Sequence, residues 1–249
     1  MLPCNFKKIP QTGWKMLLHF LFPRVCFSCG KDLPYNSTAP LCSACENGLT
    51  LPGPLICQRC GVVLKSGGAH CFHCRGSKAT AYKCKIIRSA CNFNDSSRGL
   101  IHALKYQGAD YTAHYMGAFM AQRFSLFEEL KEANLVIPVP LFKKREVKRG
   151  YNQSERLARV FCKCTGLALD TASLVRVRDT ASQTKLGRQD RLTNMTGAFA
   201  VINPAAVKGK TVLLIDDVAT TGSTLEGCAQ ALRHVGAKRV LAYTFAREN

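Results

Sequence analysis

The sequence predicts an α/β protein, a mostly parallel sheet with helices on both faces, preceded by a small N-terminal domain folded by metal. Three observations carry this. Eight of the 14 cysteines stand as four Cys-x-x-Cys pairs before residue 75. Two unbroken apolar runs, Leu135-Val136-Ile137 and Val212-Leu213-Leu214-Ile215, have the texture of strands buried on both faces. Segments of helical spacing alternate with these runs, as crossover-connected parallel strands require.

The chain has 249 residues, enough for one large domain or two modest ones. The change in texture near residue 80 divides it into 1–80, the metal-folded part, and 81–249, the α/β part. With 47% apolar and 20% charged residues the composition is globular, which excludes a disordered chain. No 18-residue apolar run exists, which excludes a membrane-spanning helix. The longest apolar stretch, residues 16–22, lacks a small-residue cleavage site and runs straight into Pro23 and a Cys-x-x-Cys. It reads as part of the folded protein and not as a secretory signal. Lys and Arg outnumber Asp and Glu by 35 to 16, a formal charge of +19. That excess points to a polyanionic partner: nucleic acid, phosphates or an anionic membrane face.

The pairs are Cys26/Cys29, Cys42/Cys45, Cys57/Cys60 and Cys71/Cys74, with 12, 11 and 10 residues between neighbours. Two thiolates spaced by two residues on a turn reach one tetrahedral Zn(II) from the same side, and a second pair a dozen residues on closes the shell. Gly30 and Gly61 each follow a pair's second cysteine, where a knuckle favours positive φ. Sequential quartets are expected, giving two zinc sites, although spacing leaves interleaved sharing open; His70 and His73 are read as bystanders. A disulfide scaffold would need an oxidising compartment. Cys4, Cys84, Cys91, Cys162, Cys164 and Cys228 have no ligand spacing and are read as packed thiols. Two tetrathiolate zinc sites lower the charge only to about +15.

Beyond residue 80, Ile86, Ile87, Ala90 and Phe93 suggest a strand or hairpin, and Leu100, Ile101 and Leu104 a short helix. Tyr115, Phe119, Phe124, Phe127 and Leu130 predict one amphipathic helix over 111–130. Pro138 and Pro140 stop the strand at 135–137. A helix over 153–164 has Asn152 as its N-cap. After the strand at 212–215 come a helix over 224–235 and a last strand over 240–245.

The most informative stretch is Val212-Leu213-Leu214-Ile215-Asp216-Asp217-Val218-Ala219-Thr220-Thr221-Gly222-Ser223-Thr224. Two carboxylates stand at the carboxyl end of a central strand, where open α/β sheets place their ligands. Small and hydroxyl residues around one glycine then open a helix, whose backbone N–H groups suit a phosphate monoester. Asp216 and Asp217 are placed for ribose hydroxyls, or for Mg(II) through water. Adjacent carboxylates repel, so replacing both with Asn is expected to leave stability unchanged or higher. Gly209-Lys210-Thr211 imitates the end of a Walker P-loop, but position 204, where the earlier glycine should stand, is Pro, and the tripeptide precedes the strand.

This stretch resembles the phosphoribosyl-pyrophosphate (PRPP) motif of type I phosphoribosyltransferases, and nearly the whole chain resembles the ComF/ComFC competence-protein family. Leu21-Phe22-Pro23, the tandem cysteine pairs, Leu104-Lys105-Tyr106 and Ile137-Pro138-Val139-Pro140 match in that order. Arg149-Gly150-Tyr151-Asn152-Gln153, Gln183-Thr184-Lys185-Leu186, Arg191-Leu192-Thr193-Asn194 and Gly197-Ala198-Phe199 follow. The resemblance implies a double zinc ribbon ahead of a type I phosphoribosyltransferase-like sheet. It also implies a cytoplasmic protein, peripheral at the inner face of the membrane. There it would handle single-stranded DNA during natural transformation, beside a helicase-type ATPase.

Carried onto this chain, the PRPP site comprises Asp216, Asp217, Ala219, Thr220, Thr221, Gly222, Ser223 and Thr224, with Mg(II) accompanying PRPP. In that plan the loop of Lys143, Lys144, Arg145, Glu146, Val147, Lys148 and Arg149 faces pyrophosphate or DNA phosphate. Residues 176–194 form the segment that closes over PRPP, bringing Lys185, Arg188 and Arg191. Asp216, Asp217, Arg149 and Lys105 are the candidate catalytic residues. The alternatives are an active phosphoribosyltransferase on an unidentified acceptor and a non-enzymatic PRPP sensor. Tyr82, Tyr106, Tyr111 and Tyr151 lie near basic residues. Core packing is expected for most of them, and stacking on bases is the alternative.

Overall fold

The structure is a computed structural model, and it describes residues 23–76, 81–108, 110–179 and 195–248. A short helix, α1 (Ser43–Asn47), lies in the cysteine-rich part. The α/β part then runs β1 (Cys84–Asn92), α2 (Asp95–Tyr106), α3 (Asp110–Phe124), a 3₁₀ turn at Glu128–Leu130, and β2 (Leu135–Pro138). It continues with α4 (Lys143–Arg149), α5 (Gln153–Thr165), β3 (Leu174–Arg176), β4 (Phe199–Val201) and α6 (Pro204–Val207). It closes with β5 (Thr211–Ala219), α7 (Ser223–His234) and β6 (Arg239–Arg247). Four strands make one parallel sheet in the order β1-β6-β5-β2, and β3 pairs antiparallel with β4 in a separate two-stranded sheet.

Alternate residues of each strand feed opposite faces, which explains the unbroken apolar runs. Leu213, Ile215, Leu241, Tyr243 and Phe245 pack with Leu100 and Leu104 of α2, Met116 and Met120 of α3, and Leu157 and Phe161 of α5. Val212, Leu214, Val240 and Ala242 pack on the other face with Leu225, Cys228 and Leu232 of α7. Helices therefore cover both faces, as expected.

Three expectations need correcting. The helix expected over 111–130 ends at Phe124, and i→i−3 bonds from Leu126 to Arg123 and from Phe127 to Phe124 tighten the chain into a turn. Phe127 and Leu130 still reach the core, so apolar periodicity outlived the helix. Residues 143–149, read as a loop, form α4, because Lys, Arg and Glu are good helix formers and Gly150 ends the run in the left-handed region. β5 extends to Ala219, so both aspartates lie within the strand. Asn152 does cap α5, its side chain accepting from Ser154 N.

The cysteine-rich part shares its core with the sheet. Cys26, Leu33, Leu41 and Leu49 join the cluster under α2 and α3, whereas Cys57, Cys60 and Cys74 join the cluster under α7. Between them they cover the outer edge of β1: Ile87 N donates to Arg59 O at 2.7 Å, and Asn92 N to Thr50 O at 2.9 Å. An edge strand that would otherwise expose its ladder groups is thereby closed. The docking is close: a Cβ at Gly99 of α2 would sit 2.2 Å from Phe27 O in the first knuckle, so only glycine fits.

Candidate functional site

The site grows from the carboxyl end of β5. Asp216 is 8% exposed and Asp217 3%. Asp216 Oδ1 accepts from Ser154 Oγ at 2.7 Å and from Asp217 N at 2.9 Å. Asp217 Oδ2 lies 2.6 Å from Lys105 Nζ, and its Oδ1 accepts from Gln153 Nε2 at 3.3 Å. Lys105 comes from the last turn of α2, Ser154 and Gln153 from the first turn of α5. Three elements thus converge on one carboxylate pair.

The two carboxyls are driven apart in proton affinity. Burial, and then the neighbouring Asp217 charge, push Asp216 up to about 7. Burial pushes Asp217 the same way, but the Lys105 ammonium and its hydrogen bond outweigh it and hold Asp217 below the ordinary carboxylate range. Lys105 is lowered by burial and raised more strongly by Asp217, so it stays charged. Near neutrality Asp217 is an anion, while Asp216 exchanges a proton, a pairing suited to hydroxyl contacts and to a shared cation.

The loop that follows is held from behind. Gly222 has φ 76° and α7 begins at Ser223. Thr221 Oγ1 donates to Ser223 Oγ at 3.0 Å and accepts from Ser223 N at 3.3 Å. Arg247, 1% exposed at the end of β6, donates through Nη1 to Ala219 O at 2.9 Å and to Thr220 O. Sequence reasoning missed Arg247, since nothing in an apolar last strand marks its final arginine as a prop. Gly209-Lys210-Thr211 lies at the amino end of β5, away from the carboxylates.

A cleft of about 380 Å³ opens beside the pair, lined by Lys105, Tyr106, Gly108, Arg145, Lys148, Arg149 and Tyr151. Arg149 Nη1 donates to Gln153 Oε1, so Arg149, Gln153 and Asp217 form one hydrogen-bonded chain. Lys143 and Lys144 are exposed on α4, and Arg145 pairs with Asp179 at 3.0 Å. Tyr106 is 68% exposed, with the Arg149 guanidinium 5.6 Å from its ring centre. Tyr111 is exposed too, so the core expectation fails for both; Tyr151 is half-buried, its hydroxyl donating to Leu104 O. Lys185, Arg188 and Arg191 lie outside the described residues.

The eight paired cysteines gather as Cys26/Cys29/Cys42/Cys45 and Cys57/Cys60/Cys71/Cys74, the sulfurs of each group within 4.8 Å of one another. Pairing is therefore sequential, and neither histidine joins. Cys29 Sγ lies 3.8 Å from Cys42 Sγ and Cys60 Sγ 3.7 Å from Cys71 Sγ. A tetrahedral Zn(II) with bonds of about 2.3 Å needs sulfurs about 3.8 Å apart, so both sets fit zinc. Burial pushes the Cys84 and Cys91 thiols up to about 12, as unreactive packed thiols. Cys4 lies outside the described residues.

The chain is a double zinc ribbon followed by a phosphoribosyltransferase domain: residues 17–75 match the Double zinc ribbon domain family and 147–249 the Phosphoribosyl transferase domain family. Relatives match along most of its length. DNA utilization protein YhgH of Salmonella typhimurium is 28% identical over 90% of this chain and 97% of its own. Competence protein F of Haemophilus influenzae is 28% identical over 89% and 96%. Competence protein ComFC of Bacillus subtilis is 29% identical over 99% and 94%. The two domains stand in this order, and the similarity to these relatives runs along about nine-tenths of the chain or more. No described helix is long and apolar enough to cross a membrane.

Proposed function

We propose that this is a DNA-uptake protein of natural transformation. In this reading its carboxylate cleft holds PRPP with Mg(II), and its basic α4 side receives single-stranded DNA. The zinc-ribbon head is residues 1–80 and the phosphoribosyltransferase-like body 81–249. The names of the relatives support the uptake role. The cleft carries the ligand assignment: Lys105 stands 2.6 Å from Asp217 and lines a cavity together with Arg145, Lys148 and Arg149. Asp216 and Asp217 offer hard oxygen donors to ribose hydroxyls and Mg(II), and residues 219–224 offer N–H and hydroxyl groups to the 5′-phosphate. Mg(II), when bound, neutralises pyrophosphate charge. Arg149 and Lys148 would hold the pyrophosphate group and, in a transfer reaction, stabilise it as it leaves ribose C1. Lys143, Lys144 and Arg145 would meet nucleic-acid phosphates, and exposed Tyr106 a base. The partner implied is a helicase-type ATPase at the inner membrane face.

Calorimetry with PRPP and Mg(II) tests the ligand. Saturable binding that Asp217→Asn abolishes is expected; undiminished affinity in that variant refutes the site. Pyrophosphate release with candidate acceptors then divides an enzyme from a PRPP-binding accessory protein, and loss of transformation in a deletion strain tests the uptake role.

A further inference from the structure

We propose a second anion site, for the phosphodiester backbone of single-stranded nucleic acid, where α7 ends and β5 and β6 begin. Lys85, Arg233, Lys238 and Arg239 line a single cavity of about 330 Å³ there, and every lining residue is a cation. Lys208 and Lys210 extend the group. Lys238 N donates to Lys210 O at 2.8 Å, and Lys208 Cγ lies 3.4 Å from where a Cβ at Gly236 would stand. The cavity is not part of the carboxylate cleft. Thr211 pairs with Arg239 at one end of the β5–β6 ladder, and Asp217 is six residues further along, about 20 Å of strand.

Two of the cations are held in place. Arg233 Nη1 donates to Ala237 O and Lys238 O, and Arg239 Nη1 lies 2.5 Å from Glu132 Oε1. Among the described residues no carboxylate stands within ion-pair distance of Lys208, Lys210 or Lys238, and all three are exposed. Lys208, Lys210 and Lys238, with Arg233 and Arg239 beside them, repel one another in the folded state, and a bound polyanion relieves that repulsion. Part of the set is needed for the fold, since Arg233 ties down the turn that leads from α7 into β6. The lysines have no such task.

The ligand chemistry is phosphate in series. A single phosphate would occupy the cavity and leave Lys208 and Lys210 idle, whereas a phosphodiester chain runs past both. An anionic bilayer also presents phosphates, but interfacial binding adds buried apolar side chains. None of the exposed large hydrophobic residues lies on 83–86, 207–212 or 233–240. A concave, wholly cationic lining suits a strand better than a plane. That the strand is nucleic acid rests on the function proposed above.

The test uses the whole chain and a labelled oligothymidylate titrated at several salt concentrations. Lys208→Ala, Lys210→Ala and Lys238→Ala together should lower affinity roughly tenfold or more at low salt and make the log–log salt slope shallower by about 2, at roughly 0.7 per phosphate contact. PRPP affinity should stay as in the wild type, the thermal melt should not fall, and Lys238→Glu alone should weaken the oligonucleotide further than Lys238→Ala. A triple variant with wild-type affinity and slope overturns the site, as does one that loses phosphatidylglycerol vesicles while keeping the oligonucleotide. If the wild type binds no oligonucleotide, the DNA function falls with the site. If it binds, and only changes on α4 weaken it, the site alone falls.

Discussion

Arg59 of the second ribbon reaches Glu226 in the first turn of α7, Nη2 to Oε2 at 3.3 Å, with 7% and 5% of the two side chains exposed. The same guanidinium donates from Nη1 to Cys74 Sγ at 3.4 Å and lies 3.3 Å from the centre of the Tyr82 ring. Glu226 also accepts from Lys83 N at 2.7 Å and Cys84 N at 3.1 Å. One buried ion pair thus joins a cysteine ligand, the start of β1 and the helix that opens at the phosphate loop. Neither residue stands out in the sequence; a pair 167 positions apart is visible only once folded.

Arg59→Met should therefore act in two places. Removing one partner of a buried pair leaves Glu226 uncompensated, and unfolding in urea should show a loss of about 3–5 kcal/mol. The lost hydrogen bond to Cys74 should loosen the second zinc site about 10–100-fold against a chelator, leaving the first site unchanged. Equal loss from both sites would contradict this geometry.

Purified protein should carry about two zinc ions per chain by elemental analysis, one for each tetrathiolate set. The sequence alone suggests that Cys57→Ser would unfold mainly residues 1–80. The structure changes that expectation, because Cys57, Cys60 and Cys74 pack under α7 in the sheet's own core. The whole chain should melt earlier, seen as one shifted transition in calorimetry; an unchanged second transition for the sheet would count against the shared core.

The two aspartates should respond to substitution in opposite ways. Asp216 is raised from 3.8 to about 7, so the folded state holds its proton where the unfolded state has lost it. Its carboxyl costs nothing below about pH 4, and wild-type stability falls as pH rises from there towards 7. Asp216→Asn should remove that fall and gain up to roughly 4 kcal/mol at pH 8, at about 1.4 kcal/mol for each pH unit of elevation. Asp217 is depressed, so its contribution is present above its unfolded value and lost below it. Asp217→Asn strands Lys105 and should cost about 3 kcal/mol at pH 7. Unfolding curves at pH 5 and pH 8 check both signs; with both aspartates replaced the two effects oppose one another, in keeping with a stability unchanged or higher.

Lys143→Ala, Lys144→Ala and Arg145→Ala together should make the salt slope of oligonucleotide binding shallower by about 2 at most. Arg145 already pairs with Asp179, so the two exposed lysines should carry most of the change. The loss should be alike for every base composition tested. An unchanged slope would make α4 a solvated helix.

Local pattern determined much of this protein from sequence alone. Thiolate spacing is set by the reach of a tight turn, so both zinc sets were legible, and so was their sequential pairing once contiguity was preferred. Unbroken apolar runs marked β2 and β5 because a strand covered on both faces has no polar side, and the paired aspartates were visible because two charges at a strand end are costly to keep. Tertiary structure decided the rest. Which face each ribbon packs on, that Lys105 reaches Asp217 and not solvent, that Arg247 props the phosphate loop, and that Lys85 meets Arg233 and Arg239 all join residues far apart in the chain. Short strands such as β3 and β4 were also out of reach, since three residues carry too little periodicity to read. Spacing records what neighbours along the chain can do together. Long-range contacts depend on how helices and ribbons pack over the sheet, and no local pattern encodes that.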